Sequence, residues 1–392
     1  MREVSAGTIP TPTPFQPDAN ASDSLYAGAA PTPLSLPTLT PIPAPTFDMT
    51  QLQVAQPTAV VLIQSLNPLT GLHAADPALL DRRPIAVKVA NYPRYVRPQS
   101  GLTLADQVFE YYIEDGLTRF TAVFYGNDSE WVGPVRSGRF FDENIQRMYQ
   151  AYLVFKFADK RVLEHFKTTE FADFLVVPSN GACPPFRIMK SRTIEVYNNS
   201  YFDTTAWDAC IERDGLRNDP PFFHTSLFNA DYNAFTGEPG DLIRTYYSAD
   251  DYHYWQFDPG TGEYYRYQET GDIRNGKPEA YAPLVDAVTG ETVHAANVVF
   301  LFAYHSFNNA YEQDDEVYSI DLTGSGEAYV FRDGVGYAAR WHRPYLNQPL
   351  TLTNIFGGAI PLKPGITFYE VIGRNSFVDQ GEGEWNFHHD TP

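Results

Sequence analysis

The residues best suited to acid/base chemistry lie in one short segment. Glu110 and Glu114 are four positions apart, and Arg119 follows them across an Asp-Gly pair. Two carboxylates beside a guanidinium can act as general acid and base on a glycan or peptide, or can bind a polar ligand. In a strand, this spacing separates the two Cα atoms by roughly 13 Å, which is long for a retaining carboxylate pair. If these residues have no functional role, they are instead part of a solvated sheet face with one cross-strand ion pair.

Two arginines follow this segment in the phrase WVGPVRSGRFF. Arg136 and Arg139 flank a predicted helix start, for which Ser137 is a candidate N-cap. Guanidinium groups beside a helix N-terminus are typical of a site for a carboxylate or a phosphate. The same two arginines could instead form internal ion pairs with Glu110 or Glu114.

A single histidine completes the candidate set. His224 lies in a Pro-rich, aromatic loop, where it would serve as a general base or as a structural hydrogen-bonding group. Motifs for phosphate loops, dinucleotide binding, zinc proteases and nucleophilic serines do not occur in the sequence. We therefore expect no metal and no cofactor. The candidate ligand-binding residues are Glu110, Tyr112, Glu114, Arg119, Arg136, Arg139 and His224.

A β-hairpin is predicted to position the first of these residues. Residues 107–125 form two β-rich runs around Asp115-Gly116, a pair typical of a two-residue type I′ turn. The register expected from that turn places Ile113 opposite Thr118 and Tyr111 opposite Phe120. One face would then be apolar, and the other would carry polar side chains. The expected polar face consists of Glu110, Tyr112, Glu114, Arg119 and Thr121.

Four regions of different composition divide the 392 residues. Residues 1–58 hold 11 of the 31 prolines, so residues 1–65 are predicted to be a disordered Pro/Thr stalk. Residues 66–235 are predicted to be a mixed α/β domain with the hairpin and flanking helices. Residues 236–373 read as a mainly antiparallel β domain, and 374–392 as a polar tail. The expected fold class is therefore α+β.

The net charge excludes some classes of partner, and the cysteines and the N-terminus bear on the cellular compartment. With 28 basic and 48 acidic residues the formal net charge is −20, which excludes nucleic acid and anionic lipid as expected partners. Cys183 and Cys210, 27 positions apart, form either a disulfide or two buried thiols. No apolar run is long enough to cross a membrane, and the first eight residues lack the apolar core of a signal peptide. The chain is thus cytoplasmic or a trimmed exported form, and the stalk favours export.

Two blocks of sequence resemble a known family. The N-terminal block contains RRPIAVKVAN, RPQSGLTLADQVFEYYIEDGLTRFTAVFYG and WVGPVRSGR, and the C-terminal block contains ETVHAANVVF, IDLTGSGEAYVFRDGVGYAARWHR and LKPGITFYEVI. Both are similar to the YerB-like family of bacterial lipoproteins. The resemblance implies an extracytoplasmic protein that is membrane-anchored only through a lipid upstream of this chain. The stretch LVFKFADKRVLEHF lacks the glycines of the corresponding family segment, which argues against an enzyme.

The sequence therefore predicts a binding or scaffold protein of the cell envelope. The expected partner is a cell-wall polymer or another envelope protein. The alternative function is a hydrolase acting on wall glycan or peptide through Glu110, Glu114 and His224. Four aromatic residues of the second domain either line a sugar-binding face or pack in its core. They are Trp255, Tyr264, Tyr265 and Tyr267.

Overall fold

The structure is a computed structural model that describes residues 65–190, 194–223, 228–232, 237–307 and 317–390. The predicted stalk, apart from Ser65, and the candidate residue His224 lie outside these ranges. Residues 56–392 form one compact unit. In the described part of that unit no helix has the length and apolar character to cross a bilayer.

Strands dominate the described residues, and helices are few. The three α-helices are α1 (Asp142–Tyr149), α2 (Lys160–Thr168) and α3 (Trp207–Asp214). Short 3-10 turns cover Pro77–Asp81, Arg94–Val96, Leu102–Leu104, Ala172–Phe174, Val196–Asn198 and Arg274–Gly276. The strands are β1 (Ile85–Ala90), β2 (Gln107–Tyr112), β3 (Thr118–Phe124), β4 (Tyr152–Val154), β5 (Leu175–Val176), β6 (Phe186–Ile188), β7 (Ser200–Phe202), β8 (Glu238–Pro239), β9 (Leu242–Tyr246), β10 (Tyr252–Asp258), β11 (Glu263–Glu269), β12 (Tyr281–Pro283), β13 (His294–Ala295), β14 (Asn297–Phe307), β15 (Tyr318–Asp321), β16 (Gly324–Arg332), β17 (Val335–Arg343), β18 (Thr351–Asn354), β19 (Thr367–Gly373), β20 (Phe377–Gln380) and β21 (Glu384–His388).

One large sheet draws strands from both predicted domains. Its 12 strands include the order β18-β17-β16-β14-β19-β2-β3-β1-β4-β5, with β15 beside β14 and β8 beside β17. The late strand β19 lies between β14 and β2 and runs parallel to both. Residues 66–235 and 236–373 therefore share a continuous hydrogen-bonded sheet.

A second sheet and the helices cover the two faces of the large sheet. The second sheet has seven strands in the order β12-β11-β10-β9-β21-β20, with β13 beside β11. Trp255 of this sheet packs on Phe368 of β19, with ring centres 4.8 Å apart. On the opposite face, Tyr111 packs on Phe141 at 4.2 Å, just before α1. Strand β2 is therefore buried on both sides.

The hairpin contains the predicted turn but not the predicted register. Asp115 and Gly116 both have positive φ, and the amide of Leu117 donates to the carbonyl of Glu114, as in a type I′ turn. The amide of Ile113 also bonds to Leu117, so Ile113 and Glu114 together oppose one residue and form a bulge. Beyond the bulge the pairing is Glu110 with Phe120 and Tyr111 with Arg119, one residue away from our expectation.

The predicted polar tail is instead part of the second sheet. Strands β20 and β21 pair with each other, and β21 runs parallel to β9. Trp385 and Phe387 alternate with polar residues along β21 and are buried. Phe387 stacks on Phe300 of the large sheet with ring centres 3.6 Å apart. The alternation of period two is the physical reason why this segment is a strand.

Two further expectations are settled by the structure. Ser137 is not the cap of the first helix, which begins at Asp142, where the Asp142 carboxylate accepts a 2.7 Å hydrogen bond from the Arg139 amide. Cys183 and Cys210 form a disulfide with their Cα atoms 5.6 Å apart. This bond ties the loop before β6 to α3.

Candidate functional site

The candidate arginines lie together with two lysines on the face of the large sheet toward α1. Arg119 belongs to β3, and Arg136 and Arg139 lie in the loop between β3 and α1. The Arg136 amide donates to the Lys88 carbonyl of β1, and its carbonyl accepts from the Lys156 amide. These backbone bonds hold Lys88 and Lys156 beside the loop that contains Arg136 and Arg139, and Arg119 Nη1 donates to the Ser137 carbonyl of the same loop at 2.9 Å. We call Lys88, Arg119, Arg136, Arg139 and Lys156 the cation cluster.

The carboxylates that contact this cluster are too few to neutralise its positive charge. Glu114 bonds Arg139 through the Nε atom at 2.7 Å and lies 3.7 Å from Arg119 Nη2. Asp142 Oδ1 lies 3.3 Å from Lys88 Nζ. Within the described residues these are the two carboxylates in ion-pair contact with the five cations. Burial lowers the pKa of Lys88 to about 7, so the net excess near neutral pH is two to three positive charges.

Burial first, and repulsion from neighbouring cations second, lower the pKa of two arginines of the cluster. Burial, and next the neighbouring Arg139, lower the pKa of Arg119 well below its usual value. Burial and then Arg139 also lower the pKa of Arg136. Like charges held this close are unfavourable unless an anion is near them. A nearby anion would lower this repulsion.

Among the five cations of the cluster, Arg136 makes the fewest hydrogen bonds and ion pairs. One Nη atom donates to Asn198 Oδ1, and Nε has no hydrogen-bond partner in the described part of the chain. By contrast, Arg139 forms a two-point pair with Glu114, and Lys156 Nζ donates to Ser200 Oγ and two other oxygens. Arg136 is also only half-buried. Arg139 shares this partial exposure, whereas Lys88, Arg119 and Lys156 are buried.

The expected polar face does not exist as one surface. The shifted register puts Glu110 and Tyr112 on the face toward the second sheet, and Arg119 on the face toward α1. Tyr112 is buried there and stacks on His389. Glu114, Arg119, Arg136 and Arg139 are brought together as candidates, whereas Glu110 and Tyr112 are separated from them.

Glu110 belongs to a fully enclosed ionic network between the two sheets. Its Oε2 lies 2.7 Å from Arg266 Nη1, and its Oε1 accepts from Thr118 Oγ1 at 2.6 Å. Glu370 of β19 lies 3.2 Å from the same Arg266 atom and accepts from Trp255 Nε1 at 3.0 Å. The Glu110, Arg266 and Glu370 side chains have no exposed surface. The network therefore joins the sheets and offers no ligand access.

The same network contains a set of groups with the geometry of metal ligands. One ligand atom each from Glu110, His253 and Glu370 lies within 4.8 Å of the others. The Arg266 guanidinium, however, already contacts both carboxylates. Burial and the nearby Arg266 lower the pKa of His253 to about 3, so its ring is neutral. A divalent ion would have to displace Arg266, so these residues do not fit a metal.

Two residues of the cation cluster, Lys88 and Lys156, were not among the predicted candidates. Lys88 in IAVKVA and Lys156 in LVFKF each interrupt an apolar run. A lysine at such a position needs a buried partner or a role, and this signal could have identified both. Of the four aromatic candidates, Trp255 and Tyr264 are fully buried and pack in the core, whereas Tyr265 and Tyr267 are partly exposed.

The whole described fold is similar to known proteins. Residues 69–217 match the N-terminal domain, and residues 243–369 the C-terminal domain, of the family described as protein of unknown function DUF3048. The protein named "Putative lipoprotein YerB" of Bacillus subtilis (strain 168) is 26% identical over 337 residues, 81% of this chain and 89% of YerB. The crystal structure of Bacillus subtilis YerB shares the fold, with a TM-score of 0.62 and 24% identity over 78% of this chain and 96% of that one. The resemblance noted in the two sequence blocks is confirmed, and the chain belongs to the YerB-like DUF3048 family.

Proposed function

We propose that this chain is an extracytoplasmic envelope protein that binds an anionic cell-wall polymer through the cation cluster. Its relative YerB is named as a lipoprotein, which supports a place at the outer face of the membrane, held by an N-terminal lipid anchor. The Pro/Thr stalk predicted for residues 1–65 would hold the folded part away from that anchor.

One observation carries the proposal, namely the excess of cations over carboxylates in the cluster. The chain has 20 more acidic than basic residues, so a local positive excess is contrary to its overall composition. Maintaining this excess close to buried groups costs folding free energy. A bound phosphate or carboxylate would offset that cost through charge-assisted hydrogen bonds.

Co-sedimentation of the full chain with isolated Gram-positive cell walls tests the proposal. We expect the protein in the pellet at low salt and a smaller bound fraction as salt screens the charges. Arg136→Gln should reduce the bound fraction several-fold, because Arg136 is the least engaged cation. Arg244→Gln is the matched control, since Arg244 forms a surface ion pair with Glu384 on the second sheet.

Three results would contradict the proposal. Equal pelleting of wild type and Arg136→Gln would show that the cluster is not the site. Binding to walls stripped of their anionic polymers would point to another ligand. Release of soluble wall fragments, detected by mass spectrometry, would support the hydrolase alternative.

A further inference from the structure

Three exposed aromatic side chains border the cation cluster. Tyr95, Phe157 and Tyr197 are 50%, 56% and 47% exposed, although large apolar side chains are usually buried where the fold permits. We call these three residues the aromatic shelf. Single exposed aromatics are common on protein surfaces, so the position of the three relative to the cations is what distinguishes them.

Each member of the shelf is connected to the cluster. The Arg136 guanidinium lies 5.3 Å from the centre of the Tyr197 ring, and Lys156 Nζ lies 5.3 Å from that of Phe157. The third connection runs through Asn198, which is buried. Its Nδ2 donates to the Tyr95 hydroxyl at 2.6 Å, while its Oδ1 accepts from Arg136. The aromatic shelf therefore contacts Arg136, Lys156 and Asn198, while Lys88 and Arg119 lie buried beneath the surface.

The backbone of Phe157 is held in an unfavourable conformation. Its φ is 66°, in the left-handed region that non-glycine residues seldom occupy. A hydrogen bond of 3.0 Å from the Gly138 amide to the Phe157 carbonyl fixes it. The conformation leaves the aromatic ring more than half exposed beside Lys156, so that little burial offsets its cost. Strain of this kind is concentrated at functional sites.

The combination of cations and aromatic rings selects a class of ligand. Guanidinium groups bind phosphate through paired, charge-assisted hydrogen bonds. Aromatic rings pack against flat apolar surfaces such as the C–H face of a sugar ring. An excess of two to three charges suits a phosphate better than a single carboxylate. Nucleotides also combine a flat ring with phosphate, but a chain of net charge −20 disfavours polynucleotides.

We propose that the cation cluster and the aromatic shelf together bind a sugar phosphate, with the phosphate at Arg136 and the sugar ring against Tyr197. This inference rests on the proposed function and specifies its ligand. Glu195 is the carboxylate that bonds Asn198 on this side, at 3.3 Å. It is positioned to accept a hydrogen bond from a sugar hydroxyl.

NMR titration of the full chain with four probes tests this inference. The probes are glucose 1-phosphate, glucuronate, inorganic phosphate and AMP. We expect glucose 1-phosphate to bind about tenfold more tightly than inorganic phosphate, because stacking adds to the anion contact. Tyr197→Ala should remove this gain, so that glucose 1-phosphate and inorganic phosphate bind the variant with equal affinity. Tyr345→Ala, a 65% exposed tyrosine on another loop, is the matched control.

The outcomes separate this inference from the function on which it rests. Equal affinity for inorganic phosphate and glucose 1-phosphate would overturn the sugar site and leave an anion site. Tighter binding of glucuronate would replace phosphate by carboxylate, and tighter binding of AMP would make the shelf a nucleotide site. Absence of binding by all four probes would remove both proposals.

Discussion

Glu110 and Glu370 lie directly opposite each other on adjacent parallel strands, and both contact Nη1 of Arg266, at 2.7 and 3.2 Å. One strand comes from the N-terminal half of the chain and the other from its C-terminal end. Burial raises the pKa of both carboxyl groups, and the Arg266 charge opposes that rise. The contact thus joins the two halves through a single guanidinium in the core.

Removal of that guanidinium should strongly destabilise the fold. Arg266→Met leaves two buried carboxylates without their cation, and breaking a buried ion pair in this way costs about 3–5 kcal/mol. Urea unfolding followed by tryptophan fluorescence would measure the loss. Glu370→Gln should cost less, because an amide resembles the protonated carboxyl and keeps the bond from Trp255.

Arg274→Met serves as the control for this experiment, since Arg274 is an exposed residue paired with Asp250. Its unfolding midpoint should remain close to that of the wild type. An Arg266→Met protein as stable as the control would contradict the importance of the buried network.

Glu269 should make stability depend on pH. It lies beneath a cleft of about 400 Å³, and burial followed by repulsion from Asp251 raises its pKa to about 7. Between pH 4.5 and 7 the folded state then holds a proton that the unfolded state has released. Its contribution to stability is therefore fully present below about pH 4.5 and is lost as the pH rises through 7, by roughly 3 kcal/mol.

Unfolding free energies of wild type and Glu269→Gln, measured from pH 4.5 to 8, would test this. The difference between the two proteins should change steeply over that interval, because glutamine cannot titrate. Glu291→Gln, a change at an exposed glutamate, should follow the wild-type curve. A wild-type curve parallel to that of Glu269→Gln would show that Glu269 is not responsible.

The last strand, β21, should be essential for stability, although the sequence predicts a polar tail there. Phe387→Ala removes the ring that stacks on Phe300 and should cost about 3–5 kcal/mol, as is usual for a buried phenylalanine. Phe377→Ala on the neighbouring strand is the control, because Phe377 is 56% exposed. Thermal unfolding would separate the two variants. Similar melting temperatures for both would restore the view of residues 374–392 as a tail.

The disulfide should contribute measurably to stability. Closing the 27-residue separation between Cys183 and Cys210 reduces the entropy of the unfolded chain, which corresponds to about 3–4 kcal/mol. Denaturant unfolding with and without a thiol reductant would measure this difference. The Cys183→Ser/Cys210→Ser protein should match the reduced wild type and should not respond to reductant; a response would indicate that the reductant acts elsewhere.

Local signals predicted local structure well. Asp115-Gly116 indicated a type I′ turn, and that turn is present. The helix predicted after WVGPVRSGR is also present, although α1 begins at Asp142 and not after Ser137. The register failed because a bulge at Ile113 and Glu114 leaves no clear mark in an alternating run. That one-residue shift separated Glu110 from the arginines expected beside it.

The pairing of strands that are far apart in the chain could not be predicted from the sequence. Nothing local in Thr367–Gly373 indicates that it runs parallel to β2, some 260 residues earlier in the sequence. The cation cluster was predicted in part, because Arg136 and Arg139 stand in one phrase. Lys88 lies in β1 and Lys156 just after β4, and the backbone bonds of Arg136 hold both beside it.

The central position of β19 has a consequence for how the chain is made. Until residue 373 has left the ribosome, β2 and β14 each present an unpaired edge, and such edges readily pair with other chains. The large sheet can close only after nearly the whole polypeptide is available, so folding must follow synthesis and cannot keep pace with it. A chain cut short before β19 would not be a smaller functional protein but two open half-sheets prone to aggregate.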